Sequence, residues 1–339
     1  MNTHIKKIIA HRIKEVRYMT VSSDHIDHNT ENDGVDRRGF LKCMAWAGTG
    51  MLWTVSGGVL ASKILAPTMA GAAETLGGDF RFVQISDSHI GFNKPANTDV
   101  VGTLKKAIAK INALPSPPDF ILHTGDLTHL SEPEEFDALD QVLKTAKAGK
   151  IFYVPGEHDV ISDNGKEYRA RYGKGTKGNG WFSFDQRGVH FIGLVNVMNI
   201  AEGGLGILGE EQLAWLKDDV SNLSNSTPIV VFAHVPLWSV YPQWGWGTND
   251  AEQALSYLKR FGSLTVLNGH IHQVLKKVEG NVTFHTAMST AFPQPAPGTA
   301  PKPGPMKVAP EILPSVLGIT EVNYAEGSHG LALVDSSLA

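Results

Sequence analysis

The chain has 339 residues, 42% hydrophobic and 19% charged, a composition that suits a globular protein able to bury a sizeable core. Its formal net charge is -4, from 30 basic and 34 acidic residues, which argues against a nucleic-acid polymer held by a global basic field. The single cysteine, Cys43, leaves no basis for a disulfide framework or a zinc-thiolate site.

Residues 36–42 read Asp-Arg-Arg-Gly-Phe-Leu-Lys, and an uncharged, glycine-dotted stretch of moderate hydrophobicity runs from 43 to 62. Ala70-Gly71-Ala72-Ala73 follows and offers an A-x-A cleavage site after Ala72. This layout resembles a twin-arginine export signal over residues 1–72, although Asp36 stands where Ser or Thr is commoner. Such a signal implies passage through the twin-arginine translocase in the folded state, a periplasmic location, and no membrane span after cleavage. Left uncleaved, the same stretch would serve as a membrane anchor. Residues 1–35 are polar and long for such a leader, with Met19 as an alternative start.

One domain is expected over residues 79–339, in which strand patterns alternate with helical ones. Phe80–Ile85 reads as a strand, residues 98–113 as a helix, Phe120–His123 as a strand, a helix starts at Pro133, and residues 151–154 form a third strand. This βαβαβ rhythm predicts parallel neighbours joined by crossover helices. A hairpin is predicted around Gln186-Arg187-Gly188, then a helix over 209–220, a buried strand Ile229–Ala233, a helix over 251–260 and a strand over 264–267. A second hairpin turns at Glu279-Gly280-Asn281, residues 293–314 form a proline-rich loop over the surface, and residues 331–334 close the chain as a strand.

The chemistry sits in five blocks, each just past a strand: Asp87-Ser88-His89, Gly125-Asp126, Gly156-Glu157-His158-Asp159, His234, and Gly269-His270-Ile271-His272. A lone Asp-x-His or Gly-Asp is ordinarily a turn or a cap. Five in order at the carboxyl ends of strands converge on one crevice in an open α/β sheet. Carboxylate and imidazole ligands without thiolates suit Mn, Fe or Zn. A carboxylate can bridge two such ions about 3.5–4 Å apart, generating a hydroxide nucleophile at neutral pH and neutralising a phosphoryl group.

The order D-x-H, G-D, G-N-H-D, H, G-H-x-H resembles that of the calcineurin-like metallophosphoesterases over residues 80–272, and within them looks closest to bacterial phosphodiesterases acting on cyclic nucleotides and similar diesters. The resemblance implies an α/β fold, a two-sheet sandwich flanked by helices in four αββα layers. It implies two divalent or mixed-valence ions. Asp87, His89, Asp126 and His272 would hold the first, and Asp126 would bridge to a second completed by Glu157, His234 and His270. His158 would protonate the leaving oxygen or steady the phosphate, with Asp159 orienting its ring. The substrate would be a small phosphate ester, probed by in-line attack of a bridging hydroxide. A non-catalytic metal- or phosphate-binding module on the same fold is the alternative, one that would lose ligand histidines, all of which are present here.

Two positions depart from the family pattern. Glu157 stands where asparagine is usual, adding a negative charge and a methylene to the centre. His129 stands where purple acid phosphatases carry a tyrosine ligand, which argues against that branch. Beyond His234, the loop 236–247 carries three of the seven tryptophans. Trp238, Tyr241, Trp244 and Trp246 suit either packing or a pocket wall that stacks a flat group. Lys302 and Lys307 could face phosphate but more often such lysines face water. His190 and His285 fall within strand patterns, as core or surface histidines rather than ligands.

Overall fold

A computed structural model describes residues 51–56, 59–64, 78–328 and 330–339. The chain divides into two units, Met1–Ala66 and Pro67–Ala339. In the first, β1 (Met51–Ser56) and β2 (Val59–Ile64) pair antiparallel. The twin-arginine motif at Arg37-Arg38 and the cleavage site after Ala72 lie outside the described residues. Among those described, no helix is long and apolar enough to cross a membrane.

The second unit contains two main sheets. In the first, β3 (Phe80–Ile85), β4 (Phe120–His123) and β5 (Ile151–Tyr153) run parallel, as the βαβαβ rhythm predicts. The crossovers are α1 (Val100–Asn112) and α2 (Pro133–Leu143). The apolar positions Leu104, Ile108 and Ile111 of α1 recur at three- and four-residue spacing, and all three are buried. Asp99 caps α1 by accepting from the Gly102 amide at 2.8 Å, and Glu135 in the first turn of α2 bonds back to the Glu132 amide. A short helix α3 (Lys166–Tyr172) follows β5.

The second sheet starts with the hairpin β6 (Phe182–Gln186) and β7 (Val189–Gly193), turning at Arg187-Gly188. A small ribbon, β8 (Asn199–Ile200) with β9 (Gly206–Ile207), leads into α4 (Glu210–Val220). Then come β10 (Ile229–Ala233), α5 (Ala251–Leu258), β11 (Leu264–Asn268) and the hairpin β12 (Lys276–Glu279) and β13 (Val282–Thr286). After the short α6 (Leu313–Val316), β14 (Gly318–Tyr324) and β15 (Ala332–Ser337) return to the first sheet. The strand orders are β15-β14-β3-β4-β5 and β12-β13-β11-β10-β7-β6.

Alternation along each strand makes the layers. In β3, Phe80 and Phe82 enter a cluster shared with Phe120, Phe191, Val230 and Phe232 between the sheets, whereas Val83 and Ile85 pack with α1 and α2. On the other side, Ile229, Val231 and Ala233 of β10 pack with α4 and α5. The result is the αββα sandwich. Phe82 stacks on Phe120 at 4.8 Å and meets Phe191 edge-on at 5.5 Å, so the interlayer core is largely aromatic.

This arrangement brings the ends of β3, β4, β5, β10 and β11 to one edge of both sheets. Two buried side chains tie the layers there. Gln84 of β3 donates to the carbonyl of Asn268 in β11 at 3.1 Å, and His234 after β10 reaches the carbonyl of Thr124 after β4. Burial without water makes each such bond costly to lose.

Candidate metal centre

The loops after β3 and β4 run side by side. The Asp87 amide donates to Gly125, that of His89 to Asp126, and that of Ile90 to Leu127, at 2.9–3.1 Å. Ligand side chains are aimed by backbone in the left-handed region: φ is 54° at Asp87, 40° at His89, 51° at Asp126, 71° at His270 and 54° at His272. For non-glycine residues this costs of order 1–3 kcal/mol each, and it persists because neighbouring loops fix the chain. The glycines of the blocks serve close approach. A Cβ on Gly156 would lie 2.1 Å from Asp126 Oδ1, and one on Gly269 would lie 2.1 Å from Ser86 Oγ.

Two ligand groups result. Asp87, His89, Asp126 and His272 form one, all buried, and Glu157, His234 and His270 form the other; within each, the ligand atoms lie within 4.8 Å of one another. Asp126 Oδ2 lies 3.4 Å from both His89 Nε2 and His234 Nε2, the place of a bridging oxygen. The Glu157 carboxylate spans the second group, 3.0 Å from His234 Nε2 and 3.0 Å from His270 Nδ1. His234 Nδ1 donates to the Thr124 carbonyl and His272 Nδ1 to the Phe292 carbonyl, at 2.7 and 2.6 Å, leaving each Nε2 for a cation. Among the described residues, Asp87 Oδ2 is buried without a hydrogen-bond partner, and Glu157 Oε2, His234 Nε2 and His270 Nδ1 are buried against other ligand atoms of the centre. Buried imidazole and carboxylate atoms converging in this way fit a pair of cations.

Charge at the centre follows from these neighbours. Burial opposes ionisation of Asp87, but His272 and His234 outweigh it and hold its carboxyl at about 2. Burial likewise opposes the Glu157 charge, and His270 and His234 keep it well below the usual carboxylate range. Burial lowers His158, yet Asp126 and Glu157 raise it above the ordinary value. Burial, reinforced by the neighbouring His158 and Lys94, pushes His129 down to about 4, so that ring is neutral at physiological pH.

The structure corrects the expected role of Asp159. Asp159 does not orient His158. The His158 ring is held through Nδ1 by the backbone carbonyl of His129 at 2.7 Å and stacks on the His129 ring at 4.7 Å. The fully buried Asp159 carboxylate instead accepts from the amides of Leu127, Thr128 and Gly156 and from the Thr128 hydroxyl, at 2.8–3.1 Å. It clamps the loop after β4 to the loop after β5. Burial and the Asp126 charge push its carboxyl up to about 7, against the pull of those amides.

A cleft opens over the ligands in two lobes. The smaller, about 170 Å³, lies over His89, Asp126 and His272 and is walled by Phe92, Lys94, His129 and Phe292. The larger, about 360 Å³, lies beside His270 and is walled by Ile200, Val235, Trp244, Trp246 and Pro303. Glu157, His158, Gln294 and Gly304 belong to both. Gln294 Nε2 donates to the His270 carbonyl and Gln294 Oε1 accepts from the Gly304 amide, so the proline-rich segment forms a fixed partition and rim.

Of the four aromatic residues expected at the substrate, Trp244 and Trp246 reach the cleft. Trp238 does not: it packs on Phe284 at 5.1 Å in the helix-side core. Tyr241 does not line the cleft either, and its hydroxyl lies over Gly298, where a Cβ would meet it at 3.3 Å. Lys302 and Lys307 stand apart from both lobes. His190 pairs with Asp185 and Asp219, and His285 with Asp335, remote from the ligand groups. His129 follows the Asp126 block, whereas Lys94 and Gln294 complete the cleft without any local motif, since only the tertiary fold brings them there.

The calcineurin-like phosphoesterase family matches residues 80–274. A 3',5'-cyclic-nucleotide phosphodiesterase of Nostoc sp. is 25% identical over 215 residues, 62% of this chain and 77% of its own length. A serine/threonine-protein phosphatase of Danio rerio is 25% identical over 58% of this chain and 71% of its own. The crystal structure of a dimetal phosphatase from Danio rerio superposes with a TM-score of 0.55 at 14% identity, covering 77% of this chain and 96% of that one, and so shares the fold. With the paired ligand groups in place on that fold, the chain belongs to the calcineurin-like phosphoesterases and is a hydrolase of phosphoric esters.

Proposed function

We propose that the protein hydrolyses phosphodiesters, using two ions of Mn, Fe or Zn. The observation that carries this reading is the two-lobed cleft. A diester bears a substituent on each side of phosphorus, and room extends from the ligand groups in two directions with His158 common to both. Lys94 is the only Lys or Arg among the described residues lining either lobe, so beyond the ions the cleft offers one cation to a phosphate, which suits a monoanionic diester.

When bound, the ions polarise the phosphoryl oxygens and lower the pKa of water. The chain's own groups do the rest. Asp87, His89, Asp126 and His272 would hold one ion and Glu157, His234 and His270 the other, with Asp126 placed to serve both. His158, its Nδ1 engaged by the His129 carbonyl, keeps Nε2 for the leaving oxygen. Asp159 positions the two loops that carry Asp126 and His158. The Arg37-Arg38 segment supports export of the folded protein to the periplasm, which favours an extracytoplasmic diester over an intracellular signalling nucleotide.

The test compares bis(4-nitrophenyl) phosphate with 4-nitrophenyl phosphate on protein loaded with Mn. The expected result is a kcat/KM at least about ten-fold higher for the diester, a difference of about 1.4 kcal/mol in transition-state binding. A preference for the monoester contradicts the diester reading.

A further inference from the structure

We propose that the larger lobe is the subsite for an uncharged, flat and apolar alcohol substituent of the diester, with Trp244 as its specificity-determining side chain. This rests on the diester reading and adds what kind of diester is taken. The two lobes differ in size and in chemistry. The smaller carries Lys94 and His129, whereas the described residues lining the larger include no Lys or Arg. Beyond the ion that Glu157 and His270 would help to hold, the larger lobe offers no Lys or Arg to pair with a second phosphate or a carboxylate. Its wall away from the ligand groups is Ile200, Val235, Trp244, Trp246 and Pro303, all apolar. A cavity of roughly 150 Å³ lined by apolar side chains accepts a benzene ring. The 360 Å³ here therefore has room for a larger ring system.

The wall is built rigidly. Trp246 is 1% exposed, and its carbonyl accepts from the amides of Val240 and Tyr241. Gly245, at φ 73°, packs so closely that a Cβ would lie 2.7 Å from the Gly204 carbonyl oxygen. This seats the tryptophan turn against the loop that follows β8. Trp244 is half-buried and lies edge-on to Trp246 at 5.0 Å and to Tyr241 at 5.1 Å, so its ring is already positioned. Ile200 of β8 lines the same lobe and is 47% exposed, an apolar side chain left open to a ligand. A pre-positioned indole in one lobe with an exposed aliphatic group gains affinity from a flat apolar ligand with little ordering cost.

The experiment uses the metal-loaded protein with two monoanionic phosphonates, benzyl methylphosphonate and methyl methylphosphonate, read by tryptophan fluorescence and by inhibition of diester hydrolysis. The wild type should bind the benzyl compound roughly ten-fold more tightly, the scale of one aromatic stacking contact. Trp244→Ala should reduce that ratio to near unity with metal content unchanged, Ile200→Ser should reduce it as well, and Lys94→Ala should leave it intact. Equal binding of the two compounds by the wild type, or an unchanged ratio in both wall variants, overturns the inference alone. Failure of the wild type to bind either phosphonate overturns the diester reading and the inference with it.

Discussion

The Nδ1 of His158 donates to the backbone carbonyl of His129 across 2.7 Å, and the two imidazoles stack 17° from parallel. The ring that serves the leaving oxygen is thus fixed by main chain, and its tautomer is set whatever side chain stands at 129. We expect His158→Ala to lose about 10²- to 10⁴-fold in turnover, the usual worth of a positioned acid. The loss should be larger for an alkyl leaving group than for nitrophenol, which needs less protonation. Metal content should be unchanged. Equal losses on both leaving groups would contradict the role.

Asp126→Ala should lose activity and bound metal together, because Oδ2 is shared between the two ligand groups at 3.4 Å from a histidine of each. Elemental analysis of the purified variant measures this directly. Retained activity would refute the assigned bridge.

Glu157 is a carboxylate where the family pattern has asparagine, and it already sits 3.0 Å from the imidazoles of His234 and His270. An amide oxygen reaches less far but removes one negative charge, and a less anionic centre is a stronger Lewis acid. Glu157→Asn is expected to keep both metal equivalents with turnover no lower than the wild type. Loss of one equivalent would show that the longer carboxylate is required.

A pH effect on stability is expected far from the centre. His190 is 5% exposed and lies between Asp219 and Asp185, at 2.9 and 2.8 Å. Burial lowers its pKa, but the bonds to Asp219 and Asp185 outweigh that and raise it above the ordinary value. Folding then takes up a proton. The stabilisation is complete below the unfolded value of about 6.5 and disappears as pH rises through the higher folded value. Thermal melts at about pH 6 and pH 9 should show a larger drop for the wild type than for Asp219→Asn. Equal drops would contradict the linkage.

Much of this was legible because the ligands follow strands whose apolar runs are plain. Phe80–Ile85, Phe120–His123 and Ile229–Ala233 have the bounds expected from sequence, and each delivers its block to the same edge. β14 was not legible. Gly318–Tyr324 mixes Gly, Thr, Glu and Asn with three larger apolar side chains, and it is held as a strand by antiparallel pairing with β15 on one side and with β3, well over two hundred residues earlier, on the other. The same limit hid the role of Asp159, which accepts from the Leu127 and Thr128 amides some thirty residues upstream, and the arrival of Lys94 and Gln294 in the cleft. The tryptophan loop shows the limit within one motif: Trp238 and Trp246 are eight residues apart, yet the first faces the helix layer and the second the cleft.

The most direct measurement strips the protein of metal, titrates Mn back, and follows bound equivalents together with hydrolysis of bis(4-nitrophenyl) phosphate. The expected result is two equivalents bound, with hydrolysis appearing as the ligand groups fill and absent from the stripped protein. Two equivalents bound with no hydrolysis of any phosphate mono- or diester would contradict the account and leave a binding module on the same fold.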